Sequence, residues 1–260
     1  MTKLFALLLA TLLAGCSSIS VPVPGNNHTA QLTVLAKEDQ KRGTVLILNG
    51  CNGPRDMHYY QWTKYIESLG YNAVAVDSFS SRGHSNLCGL SEAGKYAREA
   101  SSDVLEVGKW VKKQSWSNGR VVAIGFSIGG IQSLIVNTGN EKVFDGTIAY
   151  YPNCNFAKET ATVHAPMQVH IGTADEWAPV SQCYELKKAK NYSNVEFYFY
   201  QGSHHLFDGS SNGWFKCKTG TCRVEGNSNA NTLSRQRVEK FLKELGLCGQ
   251  FKLAASLVVL

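Results

Sequence analysis

The segment Gly125-Phe126-Ser127-Ile128-Gly129-Gly130 is the part of this chain best equipped for covalent chemistry. An apolar, β-branched run over 120–124 leads straight into it, and a helical pattern over 127–136 leads out. A serine on so sharp a strand-to-helix turn is held in a strained backbone conformation, with its hydroxyl above the sheet. Glycines on either side remove the Cβ atoms that would keep neighbouring chain away. The helix that begins here points its first amides at the serine. The N–H of Ile128 is therefore a candidate to hold a developing oxyanion, an interaction worth about 3 kcal/mol in a transition state. A second donor is expected from the loop after the first core strand. That loop is Asn49-Gly50-Cys51-Asn52-Gly53, with the amide of Cys51 as candidate. Cys51 is not read as a nucleophile, because no helix follows it immediately.

A serine hydroxyl needs a base to accept its proton, and the base needs a carboxylate to fix its tautomer. On a turn of this kind the partners follow in the chain order serine, acid, histidine. The run over 167–171 ends in Gly172-Thr173-Ala174-Asp175-Glu176-Trp177, which places Asp175, with Glu176 beside it, at the carboxyl end of a strand. The run over 195–200 ends in Gln201-Gly202-Ser203-His204-His205-Leu206-Phe207-Asp208. One of the two histidines is expected to reach Ser127, and spacing alone does not choose between them. His28, His58 and His84 precede the serine, whereas His164 precedes a strand and His170 lies in one, so these are read as structural. Tyr151, Trp177, Phe207 and Trp214 are candidate pocket walls. This chemistry requires no cofactor and no metal.

The elements that position these residues alternate along the chain. Strands are expected over 31–35, 44–48, 72–76, 120–124, 146–151, 167–171 and 195–200, and helices over 57–69, 91–113, 127–136, 180–189 and 233–245. Short apolar strands alternating with helices predict an α/β fold, with a mostly parallel sheet covered on both faces. Ligands in such sheets bind beyond the carboxyl ends of the strands, where the reactive residues fall. The 260-residue length suits a single domain, assigned to 28–250. The Gly-, Ser- and Asn-rich segment 202–231 reads as a long loop, functional or mobile. The apolar tail over 251–260 is too short to cross a membrane.

The formal charge of +6 is spread along the chain, with only short basic spots such as Lys112-Lys113 and Lys187-Lys188, which excludes a nucleic-acid footprint. At the amino terminus, Lys3, an apolar run over 4–13 and Leu13-Ala14-Gly15-Cys16 resemble a bacterial lipoprotein signal over 1–16. The resemblance implies lipidation of Cys16 and attachment in the cell envelope, on the outer membrane or the periplasmic face. Residues 17–27, with Pro22, Pro24 and Gly25, then read as a tether. Export makes disulfides the expected state of the remaining seven cysteines. Cys217 and Cys222 enclose a short turn. Cys154 and Cys183 follow neighbouring strand ends, and Cys51 and Cys88 are placed to meet likewise, though connectivity stays open and the odd number leaves one over. Zinc would need closer clustering than these spacings offer.

Together these residues resemble the dienelactone hydrolase family of α/β-hydrolases. The resemblance runs from about residue 43 to 208. It is carried by the 49–53 loop, Asp77-Ser78-Phe79 with Arg82-Gly83, the 125–130 turn, Tyr150-Tyr151-Pro152, Gly172-Thr173-Ala174-Asp175 and Gly202-Ser203-His204-His205-Leu206-Phe207-Asp208. The family's register places the catalytic histidine at His205. It implies a triad of Ser127, Asp175 and His205 acting on a small-molecule ester, with Arg82 toward the substrate; Tyr151, Trp177 and Phe207 stay candidates as pocket walls on their residue type alone. Two features depart from the founding enzymes: serine stands where they carry cysteine, and Arg82 is the one candidate for the arginines that hold their substrate's carboxylate. Rival readings are an amidase or peptidase, a carbohydrate deacetylase, or a catalytically idle surface lipoprotein that binds a partner. Oligomeric state is not readable from the sequence.

Overall fold

The computed structural model describes residues 17–23, 28–54, 56–217 and 220–247. The leader with Cys16, residue Cys248 and the tail over 251–260 lie outside the described residues.

Eight strands form one sheet: β1 (Ser17–Pro22), β2 (Thr29–Leu35), β3 (Arg42–Leu48), β4 (Asn72–Asp77), β5 (Ser117–Phe126), β6 (Gly146–Tyr150), β7 (Met167–Gly172) and β8 (Glu196–Tyr200). Their order is β1-β2-β4-β3-β5-β6-β7-β8. From β4 to β8 the neighbours are parallel, while β1 on β2 and β2 on β4 are antiparallel additions at one edge. The helices are α1 (Met57–Ser68), α2 (Ala93–Glu99), α3 (Ser101–Val111), α4 (Ile128–Thr138), α5 (Val180–Lys188) and α6 (Ser228–Glu244). Alternate side chains of a strand point to opposite faces. Val45 and Ile47 of β3, with Val122, Ile124 and Phe126 of β5, pack against Trp62 and Ile66 of α1 and Val238 and Leu242 of α6. Leu46, Leu48, Val121 and Ala123 meet Val104, Val107 and Val111 of α3 in a second core. Burial on both faces is why these strands read as unbroken apolar runs.

Three expectations are corrected. The segment read as a tether over 17–27 supplies β1. Its period-two pattern buries Val21 and part of Ile19 against the second core, and an edge strand tolerates Pro22 at its end. The helix expected over 91–113 is two, α2 and α3, meeting at Ala100. There the Ser101 hydroxyl donates to the Ala97 carbonyl at 2.8 Å, a back-bond that bends helices. The loop expected over 202–231 contains an antiparallel hairpin, β9 (Asn212–Cys217) and β10 (Gly220–Glu225), and the start of α6. Polar composition hid the hairpin, and Asn227, whose Oδ1 accepts from the Ala230 amide at 3.1 Å, caps α6 earlier than the apolar spacing indicated.

Disulfides join Cys51 to Cys88, Cys154 to Cys183 and Cys217 to Cys222, the pairs expected from the sequence. They indicate an extracytoplasmic protein. Among the described residues no helix is long and apolar enough to cross a membrane.

His170 of β7 is fully buried, stacked on Tyr150 with ring centroids 4.6 Å apart. Its Nδ1 lies 2.7 Å from the Tyr200 hydroxyl and its Nε2 3.1 Å from Gln168 Oε1. Burial, with the nearby Arg237 charge, pushes its pKa down to about 3. The folded protein therefore binds fewer protons here than the unfolded chain between the ordinary histidine value, about 6.5, and that depressed one. Stability is unaffected above this window and falls with acidification through it, by about 1.4 kcal/mol per pH unit from this residue. In urea titrations from pH 6.5 to 4, His170→Asn should lose that component of the slope, whatever its stability at neutral pH.

Candidate active site

Ser127 joins β5 to α4 at φ 54°, ψ −108°, a conformation that L residues avoid. A Cβ on Gly125 would lie 1.9 Å from the Gly129 carbonyl oxygen, and one on Gly129 2.2 Å from that of Leu48, so glycine is required at both. The Ser127 amide donates to the Tyr150 carbonyl at 3.0 Å and ties the turn to β6. Tyr151 (φ 37°) and Leu206 (φ 58°) are the other non-glycine residues with positive φ among those described. All three stand around the same site, and strain of this kind costs about 1–3 kcal/mol each.

The structure brings Ser127, His205 and Asp175 together. His205 Nε2 lies 3.1 Å from Ser127 Oγ, and His205 Nδ1 lies 2.7 Å from Asp175 Oδ2. Both the imidazole and the carboxylate are buried. Asp175 Oδ1 accepts from the amides of Trp177 and Ala178 at 2.9 and 2.8 Å, which leaves Oδ2 for the imidazole. An ionised carboxylate only accepts, so Nδ1 carries the proton and Nε2 is the acceptor facing the serine hydroxyl. The Trp177 ring stacks on His205 with centroids 5.3 Å apart, and the Tyr151 ring lies tilted against the same imidazole at 4.5 Å. His204 turns away, its Nε2 3.8 Å from Glu225 Oε2.

The hairpin braces this arrangement. Strand β10 forms an isolated parallel bridge with His205 through Val224, and the Glu225 amide donates to the His205 carbonyl at 3.3 Å. The Arg223 amide donates to Glu176 at 3.1 Å, so the hairpin also holds the loop that carries the acid.

The 49–53 loop is fixed by the Cys51–Cys88 disulfide and by Tyr59, whose hydroxyl accepts from the Gly50 amide at 2.7 Å and donates to Asn52 Oδ1 at 2.8 Å. Burial raises the Tyr59 pKa far above the ordinary tyrosine value and keeps the phenol protonated. Among the described residues the amides of Cys51 and Ile128 donate to no protein acceptor, and both residues line a cavity that reaches Ser127.

A second buried cluster adjoins the first, and sequence reasoning missed it. Asp208 accepts from Trp62 Nε1 at 2.7 Å, from the Tyr151 hydroxyl at 2.9 Å and from His58 Nε2 at 2.8 Å. Burial pushes its pKa up, but the His58 charge and the three donors outweigh burial and hold it below the ordinary carboxylate value. His58 precedes the serine, against the chain order of a triad, and nothing in the sequence near Asp208 marks it as a partner.

Other expected contacts are corrected. Arg82 is not at the site: its guanidinium binds Ser78 O and, through both Nη atoms, buried Asp103, an internal pair that uses up its fork. Phe207 is fully buried among Tyr150, Tyr151 and Tyr200, a core ring rather than a wall. Trp214 is exposed on the hairpin. Trp177 and Tyr151 do line the cavities beside Ser127.

Two cavities open on Ser127 and share Cys51, Trp177 and His205 as walls. The larger, about 430 Å³, is bounded by the 49–53 loop, Asn86, Ser211 and the hairpin residues Phe215 and Lys216. The smaller, about 190 Å³, lies over Leu87, Leu90, Ala93, Ile131 and Phe156.

The model of the dienelactone hydrolase family matches residues 32–246. No curated protein sequence is similar enough to count as a match. Among solved structures, a candidate dienelactone hydrolase from Klebsiella pneumoniae superposes with a TM-score of 0.69 at 17% identity, covering 88% of this chain and 97% of that one. An esterase from the planctomycete Thermogutta terrifontis, solved with propionate bound, gives 0.64 at 15% identity, over 91% and 96% of the two chains. The same esterase phosphonylated by cyclosarin gives 0.65 at 16%, over 91% and 96%. Likeness at these identities establishes the α/β-hydrolase fold.

Proposed function

Since the chain belongs to the dienelactone hydrolase family, we propose that it cleaves carboxylic esters through an acyl-enzyme formed on Ser127. The observation that carries this reading is the continuous hydrogen-bonded line from Ser127 Oγ through His205 to buried Asp175. Ser127 Oγ bonds to the acyl carbon while its proton passes to His205 Nε2. The imidazolium beside Asp175 then protonates the alcohol oxygen as the acyl–oxygen bond breaks. Water reverses the sequence: its oxygen bonds to the acyl carbon, its proton passes through His205 back to Ser127, and the acid leaves. The amides of Cys51 and Ile128 hold the oxyanion in both steps. The pairing of Arg82 with Asp103 takes up the one arginine that the sequence resemblance offered for a substrate carboxylate, which speaks against dienelactone itself. The leader sequence supports attachment of the mature chain to the cell envelope through lipid on Cys16.

The test is direct. A fluorophosphonate probe should label the protein, and peptide mass spectrometry should place the adduct on Ser127. A p-nitrophenyl ester should release a burst of one p-nitrophenolate per chain before the steady state. Absence of both adduct and burst would refute the covalent mechanism and favour an idle binding protein.

A further inference from the structure

The two amides assigned to the oxyanion differ in how they are held. That of Ile128 is the first of α4 and is fixed by the helix. That of Cys51 sits in the 49–53 loop. Among the described residues, the Gly50 carbonyl of the same peptide unit is held from within that loop, by Asn49 Nδ2 at 2.9 Å and the Gly53 amide at 3.2 Å. Tyr59 ties the near side to the body through the Gly50 amide. The far side has two ties, and both lead to one short segment: the Leu87 amide donates to the Cys51 carbonyl at 2.7 Å, and Cys88 closes the disulfide. Leu87 is buried in one apolar cluster with Ile128 and Ile131. Residues 87–88 therefore link one oxyanion donor to the other. This disulfide is also the accessible one of the three. Cys51 and Cys88 are partly exposed and both line the larger cavity, whereas Cys154, Cys183, Cys217 and Cys222 are buried.

We propose that the Cys51–Cys88 disulfide positions the Cys51 amide for the oxyanion, so that turnover is coupled to the redox state of this bond. Cys88 is a positioning residue: it touches no reacting atom and acts through Cys51. This rests on the esterase reading above. A solute in the larger cavity reaches the bond, and exposed disulfides are the ones thiols open most readily. The reductant is a dithiol. One of its sulfurs, as thiolate, bonds to one sulfur of the pair as the S–S bond breaks. Its second sulfur then displaces that cysteine from the mixed disulfide. Two electrons and two protons pass to Cys51 and Cys88, which are left as thiols, and the dithiol becomes a disulfide. The bonds from Leu87 and to Tyr59 survive, so the loop stays near its place but loses the link that sets its donor against Ser127. A misplacement of about 1 Å costs about 100-fold, and outright loss of one such donor about 10²- to 10³-fold.

The experiment treats the full folded protein with graded dithiothreitol, removes the dithiol by gel filtration and measures p-nitrophenyl acetate hydrolysis. Parallel samples are alkylated, and peptide mass spectrometry identifies the cysteines freed. Cys51–Cys88 should open before the other two pairs. With it open, kcat should fall about 10- to 100-fold with KM little changed, and reoxidation should restore the rate. Binding of a trifluoromethyl ketone, which forms a tetrahedral oxyanion on Ser127, should weaken by the same factor. Cys88→Ser should show the lower kcat from the start and not respond to dithiothreitol; if it does not fold, the reduced wild-type chain carries the test. An unchanged kcat with Cys51–Cys88 open would overturn the proposal and leave the esterase standing. So would a loss of rate that follows another disulfide, or that follows loss of fold seen by circular dichroism. No fluorophosphonate label and no ester hydrolysis in the oxidised protein would remove both readings.

Discussion

His205→Ala should lower kcat for p-nitrophenyl acetate by about 10⁵- to 10⁶-fold, while His204→Ala stays near the wild-type rate. The two residues are adjacent in the chain, yet only one imidazole lies within 3.1 Å of Ser127 Oγ; the other approaches Glu225. The loss is large because the three groups act as a unit. Without the base, the serine hydroxyl keeps its proton, and what remains comes from the oxyanion donors and from binding. Asp175→Asn should cost about 10⁴-fold, since an amide at that position stabilises the tautomer with its proton on Nε2, the wrong nitrogen for accepting from serine. Single-turnover measurement of p-nitrophenolate release separates these chemical effects from changes in binding. Substantial activity in His205→Ala, or its loss in His204→Ala, would move the base by one residue.

Asp208→Ala should destabilise the protein by about 3–5 kcal/mol, measured as the shift in urea midpoint at constant m. The carboxylate is buried and binds three donors from different parts of the chain: His58 and Trp62 on α1, and Tyr151 after β6. Removing it strands all three, and the cost of breaking a buried pair lies mostly in what is left behind. Asp208→Asn keeps one accepting oxygen and should lose less. The pH dependence has a definite sign. Because the folded pKa lies below the ordinary value, the contribution is complete above about pH 3.9 and fades as pH falls through the folded pKa. Activity should fall too, since the Tyr151 ring that Asp208 anchors packs against His205.

The parallel sheet was readable because its strands are buried on both faces, so the run Val45-Leu46-Ile47-Leu48 needs no alternation to be recognised. The turn at Ser127 was readable for a related reason: glycine positions dictated by backbone contact leave a mark that side-chain chemistry cannot supply. The choice between His204 and His205 was different. Strand register decides which of two neighbours faces inward, and that register is set by β10 and the Tyr200 turn, far from the histidines in pattern if not in space. Arg82 misled because its partner, Asp103, lies on a helix that gave no sign of turning a carboxylate inward. The Asp208 cluster was invisible for the same cause: its donors come from α1 and from the turn after β6, far apart in the chain, and nothing local marks any of them.

Strand β1 has a bearing on how the molecule would stand on a membrane. Ser17 pairs with Val34, which pairs with Val74, so β1 points the same way as β4 and β5 and begins at the rim opposite Ser127. An acylated Cys16 would have almost no slack. The body would be moored flush to the bilayer by its floor, with the reaction centre turned outward to the aqueous space. Such an enzyme reaches solutes and wall polymers drifting past, and is poorly aimed at the lipids beneath its own feet.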